Sequence, residues 1–287
     1  MEAWQTQMQD FVDTLDKLKA FIQVSPQEEE AITTLPTKWG TTPYFAGLMH
    51  PEDPACPIRR QVIPSLQERQ NRYGVENYLI WKENRDTEEI RPDSIARQYE
   101  DRVAFTVTDV CANYCRHCFR KEAVVDRELK LRMDVEEGLD WIRAHPEVRD
   151  VLITGGDPFL LSDDKIEYLI RKLREMPHIQ MIRFGTRTPI VLPQRITEGL
   201  TRVLDGFHKV PVWINTQCNH PKELTETTAR GVFDLLRCGV NVGNQAVLLK
   251  GINDDVATFR ELHQKLLRVR IRPYYVFYCE PAPGIDH

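Results

Sequence analysis

From Arg102 onward the chain alternates between two hydrophobic patterns. Short apolar, β-branched runs occupy residues 103–110, 151–154, 181–185, 210–215, 240–249 and 271–279. Between them, apolar residues recur at helical spacing over 135–144, 162–176, 194–205, 224–238 and 255–269. Ser162-Asp163-Asp164 and Asp254-Asp255 place cap oxygens and negative charge where helix starts need them, and Gly239 marks a helix stop. Six strands alternating with helices predict an α/β fold with a parallel sheet and right-handed crossovers. Pattern alone leaves an open sheet and a barrel as alternatives.

The first hundred residues read differently. Phe11, Leu15, Leu18 and Ile22 predict one amphipathic helix from Trp4 to about Ile22. Ser25-Pro26-Gln27-Glu28 is a second helix start, with a capping serine, a proline at the first helical position and a glutamate three residues on. Residues 41–64 carry Pro43, Pro51, Pro54, Pro57 and Pro64 and read as irregular, with Cys56 a structural thiol. Residues 73–97 are polar and read as a connecting arm. The domain reading is therefore a helical extension and arm over 1–97 and a core over 98–287.

Composition narrows the function classes. The 287-residue chain is 28% charged with a net charge of −5, and its basic clusters are short, which argues against a nucleic-acid surface. No apolar run approaches the ~20 residues that span a bilayer, and MEAWQTQMQD is not a secretory leader. Seven cysteines without an export signal point to a reducing, cytoplasmic setting and metal ligation rather than disulfides.

Three of those cysteines lie in Cys111-Ala112-Asn113-Tyr114-Cys115-Arg116-His117-Cys118, a C-x3-C-x2-C string after the first strand run. The C-terminal ends of parallel strands are where α/β proteins carry chemistry. Three thiolates are one too few for a closed zinc site and for a fully ligated cubane; on a [4Fe–4S] cluster they leave one iron open. A zinc knuckle completed by His117 or a distant ligand, and plain buried thiols, are the other readings. Further polar groups follow the later strands. Gly155-Gly156-Asp157 follows the second, in a turn that allows close backbone approach. Arg187 follows the third, as an anion contact or an ion pair. Asn244 and Gln245 sit inside the fifth, as ligand contacts or a core network.

The cysteine string, with His117 before its last cysteine, resembles the radical S-adenosylmethionine (SAM) enzymes, and CANYCRHCFRK resembles their lysine 2,3-aminomutase branch. GGDP, TRTP, LPQRIT, NHP, GNQAVLL and IRPYY extend the likeness over about residues 30–287. The resemblance implies a partial (β/α)6 radical SAM barrel with an N-terminal helical extension. It implies a [4Fe–4S] cluster on Cys111, Cys115 and Cys118, with SAM contacted by His117, Gly155, Gly156 and Asp157 and a 5′-deoxyadenosyl radical as the agent. It also implies pyridoxal 5′-phosphate (PLP), held by Tyr99 and Arg102, with Gln98 replacing a family arginine or handing its role to Arg97. Arg120 matches the arginine that binds the substrate carboxylate, and Glu280 stands where an aspartate binds the distal ammonium of lysine. The implied function is a 2,3-aminomutase, an isomerase acting on lysine or a lysine-like amino acid. Its electron donor would be of the flavodoxin or ferredoxin type, with a homo-oligomer left open. A glutamate enzyme, a relative acting on a lysine of elongation factor P, and a non-catalytic iron–sulfur or zinc protein are the alternatives. The family's Schiff-base lysine lies tens of residues past the position of His287, so the resemblance also implies a longer protein.

Overall fold

The computed structural model describes residues 2–70, 91–121, 134–278 and 282–285. Seven strands form one sheet in sequence order: β1 (Ile95–Tyr99), β2 (Arg102–Thr106), β3 (Asp150–Thr154), β4 (Met181–Gly185), β5 (Val212–Thr216), β6 (Asn241–Leu248) and β7 (Arg272–Tyr278). β2 to β7 pair in parallel and β1 pairs antiparallel with β2. The sheet curls into a half-barrel, the partial barrel expected. Its crossovers carry the helices Val135–Ala144, Asp163–Arg174, Glu198–Leu204, Glu226–Arg237 and Val256–Arg268, each within a few residues of the periodic stretches.

Register explains how the sheet closes against those helices. Phe105, Ile153, Phe184, Ile214 and Val242 form one continuous row of paired positions across β2–β6, all buried. Val103, Val151, Ile182 and Val212 form a second. Alternate positions point to opposite faces, so both rows meet the helices, and burial of each large side chain contributes about 1.5–3 kcal/mol. The intervening rows, Ala104-Leu152-Arg183-Trp213-Asn241 and Gly185-Asn215-Gly243-Arg272, line the concave face. That face carries the polar side chains Arg183, Asn215, Asn241 and Arg272.

Two expectations need correction. The first helix is broken: Ala3–Gln9 and Leu15–Lys19 are separate helices. Val12 between them pairs with Thr41 through reciprocal backbone bonds of 2.8 and 3.1 Å, and Thr14 caps the second helix. A tertiary pairing overrode a continuous helical period. The polar arm likewise contains β1, whose Ile95 is buried beside Phe105. Its single apolar anchor and charged neighbours gave no alternation to read. The capping box at Ser25 and Glu28 formed as read, with Ser25 N–H donating to Glu28 at 2.8 Å and Glu28 N–H to Ser25 Oγ at 3.3 Å. Cys56 is buried and accepts the His50 N–H at 3.3 Å.

The extension packs into the same hydrophobic core as the barrel, through Val12, Leu18, Phe45, Ile58 and Val62. It also grips the cysteine loop. Thr41 bridges to Asn113, Tyr114 N–H donates to Gly40 O at 2.9 Å, and Arg116 N–H to Gln61 O at 3.0 Å. The Arg116 guanidinium pairs with Glu68 and donates to Lys38 O and Thr37 Oγ1, both at 2.9 Å. Lys121 Nζ also reaches Glu68, at 2.9 Å.

Burial pushes the Glu68 carboxyl up, but Arg116 and Lys121 outweigh it and hold the group below its ordinary 4.5. A carboxyl depressed on folding stabilises fully above its unfolded pKa, and that contribution is lost as pH falls through the folded value. Glu68→Gln leaves two buried cations short of a partner and is expected to cost roughly 3–5 kcal/mol at pH 7. Denaturant melts should show this loss shrinking as pH falls below about 4.5, so that wild type and variant converge in acid.

Candidate active site

The strand ends gather the three thiols, His117 and the Gly155-Gly156-Asp157 turn at one mouth of the half-barrel. After β2 the chain leaves the sheet and forms the cysteine loop, which is supported from beneath by the turn after β3. Gly156 N–H donates to Thr108 O at 2.6 Å and Asp157 N–H to Val110 O at 2.7 Å. A side chain at Gly155 would collide with the Thr108 carbonyl, and one at Gly156 with that of Val110; Gly155 also holds a φ of +138°. The close approach that these glycines allow is between two segments of the protein. Asp157 turns inward, where its carboxylate accepts from Phe159 N at 3.1 Å, Thr186 Oγ1 at 2.5 Å, Arg187 N at 2.9 Å and Thr188 N at 3.0 Å. It thereby ties the turn after β3 to the turn after β4.

Cys111, Cys115 and Cys118 lie half-buried in the loop. Burial pushes the Cys111 thiol up, and negative charge on Cys118 and Cys115 would push it further. Burial also raises Cys118, against the charge of Arg120. Among the described residues no three His, Cys, Asp or Glu side chains are arranged around a single metal ion. Three thiols in one loop supply the soft sulfur donors that an iron–sulfur cluster takes. The donor set fits a cluster held by three sulfurs.

His117 faces a polar network. Its Nε2 lies 3.4 Å from Gln217 Oε1 and 3.5 Å from Asn219 Nδ2. Burial, and then the charge of Arg187, hold the imidazole down at about 3, so it is neutral. Beside it opens a cavity of about 490 Å³ whose walls include Ile63, Arg116, Leu249, Lys250, Ile252 and Ile285. Asn244 is fully committed, accepting from Cys218 N at 2.7 Å and donating to Cys218 O at 3.0 Å. Its pattern is that of the core network. Gln245, half-buried on the same strand, pairs in register with Tyr275.

Tyr99 and Arg102 stand together at the opposite end of β2, roughly 13 Å of strand away from Thr106, with the Arg102 guanidinium 4.9 Å over the Tyr99 ring. Arg102 Nε donates to Asp101 at 3.1 Å. Arg97 is turned to Glu147 at 3.1 Å and to the Glu100 carbonyl at 2.6 Å. Between the two ends, a cavity of about 310 Å³ on the concave face is lined by Arg183, Trp213, Asn215, Arg272 and Tyr274. Arg120 follows the last cysteine, its guanidinium 5.6 Å from the Phe119 ring. Glu280 lies outside the described residues.

The sequence reading missed the network behind His117. Glu223 has no exposed surface and accepts from Gln61 Nε2 at 2.9 Å, Asn219 N at 3.0 Å, His220 N at 2.9 Å and Arg187 Nη2 at 2.9 Å. Glu223 sits in NHPKEL, just before the helical stretch 224–238, where no motif singled it out. Only Arg187, a lone cation after a strand, signalled it.

The geometry defines a half-barrel enzyme with a three-thiol loop at its mouth. The Radical SAM superfamily model matches residues 105–262. The L-lysine 2,3-aminomutase of Clostridium subterminale is 41% identical over 288 residues, 99% of this chain and 68% of that protein. That of Bacillus subtilis (strain 168) is 40% identical over 288 residues, 99% of this chain and 60% of that protein. The glutamate 2,3-aminomutase of Clostridioides difficile (strain 630) is 39% identical over 280 residues, 96% of this chain and 64% of that protein. The chain belongs to the radical SAM superfamily, in its 2,3-aminomutase family. It is accordingly an isomerase, and membership implies a [4Fe–4S] cluster, SAM and PLP as cofactors. Among the described residues no helix is long and apolar enough to cross a membrane.

Asn244→Ala removes both partners of the Cys218 backbone and leaves a buried N–H and C=O unpaired, each costing about 1–3 kcal/mol. Thermal melts should show a drop of several degrees. Gln245→Ala should move the midpoint by about a degree or less.

Proposed function

We propose that the protein moves the α-amino group of lysine, or of a lysine-like amino acid, to C3, using a radical generated from SAM and a PLP cofactor. The observation that carries this reading is the loop of three thiols mounted where the parallel strands end. When bound, the cluster and SAM supply a hydrogen-abstracting radical and PLP supplies a carrier for the migrating nitrogen.

The chain's own residues have distinct tasks in this reading. Cys111, Cys115 and Cys118 hold the cluster, and the missing fourth ligand leaves an iron for SAM. The neutral His117 and the apolar walls of its cavity take the adenosyl group, and the turn at Gly155, Gly156 and Asp157 lies under the cysteine loop to position it. Gln245, on the concave face, serves as a further SAM contact. Asn244 supports that contact by fixing the backbone of Cys218. Tyr99 and Arg102 hold the phosphate of PLP at the far end of the sheet, which sets the substrate between the two cofactors. Arg120 forks onto the substrate carboxylate, and Glu280 favours a cationic side chain over that of glutamate. Residues 1–97 act as an extension that clamps the loop of the barrel formed by 98–287. We place the enzyme in the cytoplasm, reduced by a flavodoxin- or ferredoxin-type donor, with a homo-oligomer left open.

The test is anaerobic reconstitution with iron and sulfide, followed by incubation with SAM, PLP, dithionite and either L-lysine or L-glutamate. Lysine should yield 5′-deoxyadenosine and the 3-amino isomer, and Cys115→Ala should reduce both to background. Turnover of glutamate in preference to lysine would overturn the substrate assignment. Bound zinc without labile sulfide would overturn the radical reading.

A further inference from the structure

Arg187, in the turn after β4, reaches the cysteine loop beside Gln61 and Phe45 of the extension. Its side chain is 8% exposed. Nη1 donates to Cys115 Sγ at 2.8 Å, and Nη2 to Gln61 Oε1 at 2.6 Å and Glu223 Oε2 at 2.9 Å. Nε donates to Gln217 O at 3.2 Å, and the Phe45 ring lies 5.4 Å from the guanidinium carbon. The planar fork is therefore fixed by a carboxylate, an amide and a carbonyl, with one arm aimed at sulfur. Cys115 also receives Asn113 Nδ2 at 3.2 Å.

A buried cation that already has a buried carboxylate partner gains little from a neutral thiol, which is a weak acceptor. A thiolate is a different partner, because a charge-assisted bond to it is short and strong. Hydrogen bonds to ligand sulfur, net charge and solvent exposure set the potential of an iron–sulfur centre. Reduction adds an electron to a centre that is already anionic, and the low effective dielectric of a buried site strengthens the response to a fixed charge. Glu223 lies on the far side of the same guanidinium, so the positive end of the pair meets the sulfur and the negative end is held away.

We propose that Arg187 is a positioning residue for the Cys115 thiolate and raises the reduction potential of the cluster, with Glu223 setting how far. This rests on the cluster reading above. The geometry assigns opposite effects to the two partners. Removing the Arg187 charge should make the centre harder to reduce, and removing the Glu223 charge should make it easier. A lysine could not serve, since one ammonium cannot reach Cys115, Gln61 and Glu223 in one plane.

The experiment is an EPR-monitored potentiometric titration of reconstituted wild type, Arg187→Gln and Glu223→Gln, one electron entering from dithionite, with iron and sulfide measured on each sample. Arg187→Gln is expected to lower the reduced-to-oxidised ratio about ten-fold at a fixed potential, a shift of about 59 mV for one electron. Glu223→Gln should raise that ratio. Unchanged midpoints at full cluster content, or shifts of the same sign in both variants, would overturn the assignment. If Arg187→Gln loses its cluster, Glu223→Gln decides alone: a raised ratio sustains the proposal, and an equal or lower one overturns it. A wild-type protein that takes up no iron and sulfide overturns the cluster reading itself, which separates the two failures.

Discussion

Residues 107–121 leave the sheet without a ladder of their own, so most of their backbone groups must find partners elsewhere or remain unsatisfied. The partners come from both sides of the sequence. Gly40, Thr41, Gln61 and Glu68 close in from the extension, and the turn at Gly156 and Asp157 closes in from the barrel. A loop fixed this way enters its ligand-binding state with much of the ordering entropy already spent. The buried Glu68–Arg116–Lys121 group makes that order conditional on charge, because each member is costly without the others.

The second consequence is a separation of roles along the barrel axis. Helix-facing rows of Phe, Ile and Val make the sheet rigid, and the alternate rows are released for chemistry. The thiols and His117 occupy the strand ends, while Tyr99 and Arg102 occupy the strand starts. The polar concave wall between them includes Arg183, which donates to Asp150 at 2.5 Å and to the Tyr274 hydroxyl at 3.3 Å. Such a wall suits an amino acid better than an apolar ligand.

Much of this was legible in the sequence because most strands fall in short apolar runs and several helices carry caps. The cysteine string was legible because ligand spacing on a loop is a local property. What could not be read is long-range. Val12 gave no sign that it would pair with Thr41 and break a helix, and β1 had one buried anchor. Asn244 was read as either ligand contact or core network, and the structure commits both ends of its amide to Cys218. No local pattern singled out Glu223, yet its carboxylate bonds to groups more than thirty and more than one hundred and sixty residues away, Arg187 and Gln61. Burial of a charge depends on partners that only the fold brings together.

The central claim is a cubane held by three cysteines with one corner left for SAM. Mössbauer spectroscopy of the iron-loaded protein tests it most directly. The account predicts one iron distinguishable from the others, whose signal moves when SAM is added while the rest stay in place. Irons that are all equivalent, or a spectrum indifferent to SAM, would contradict it.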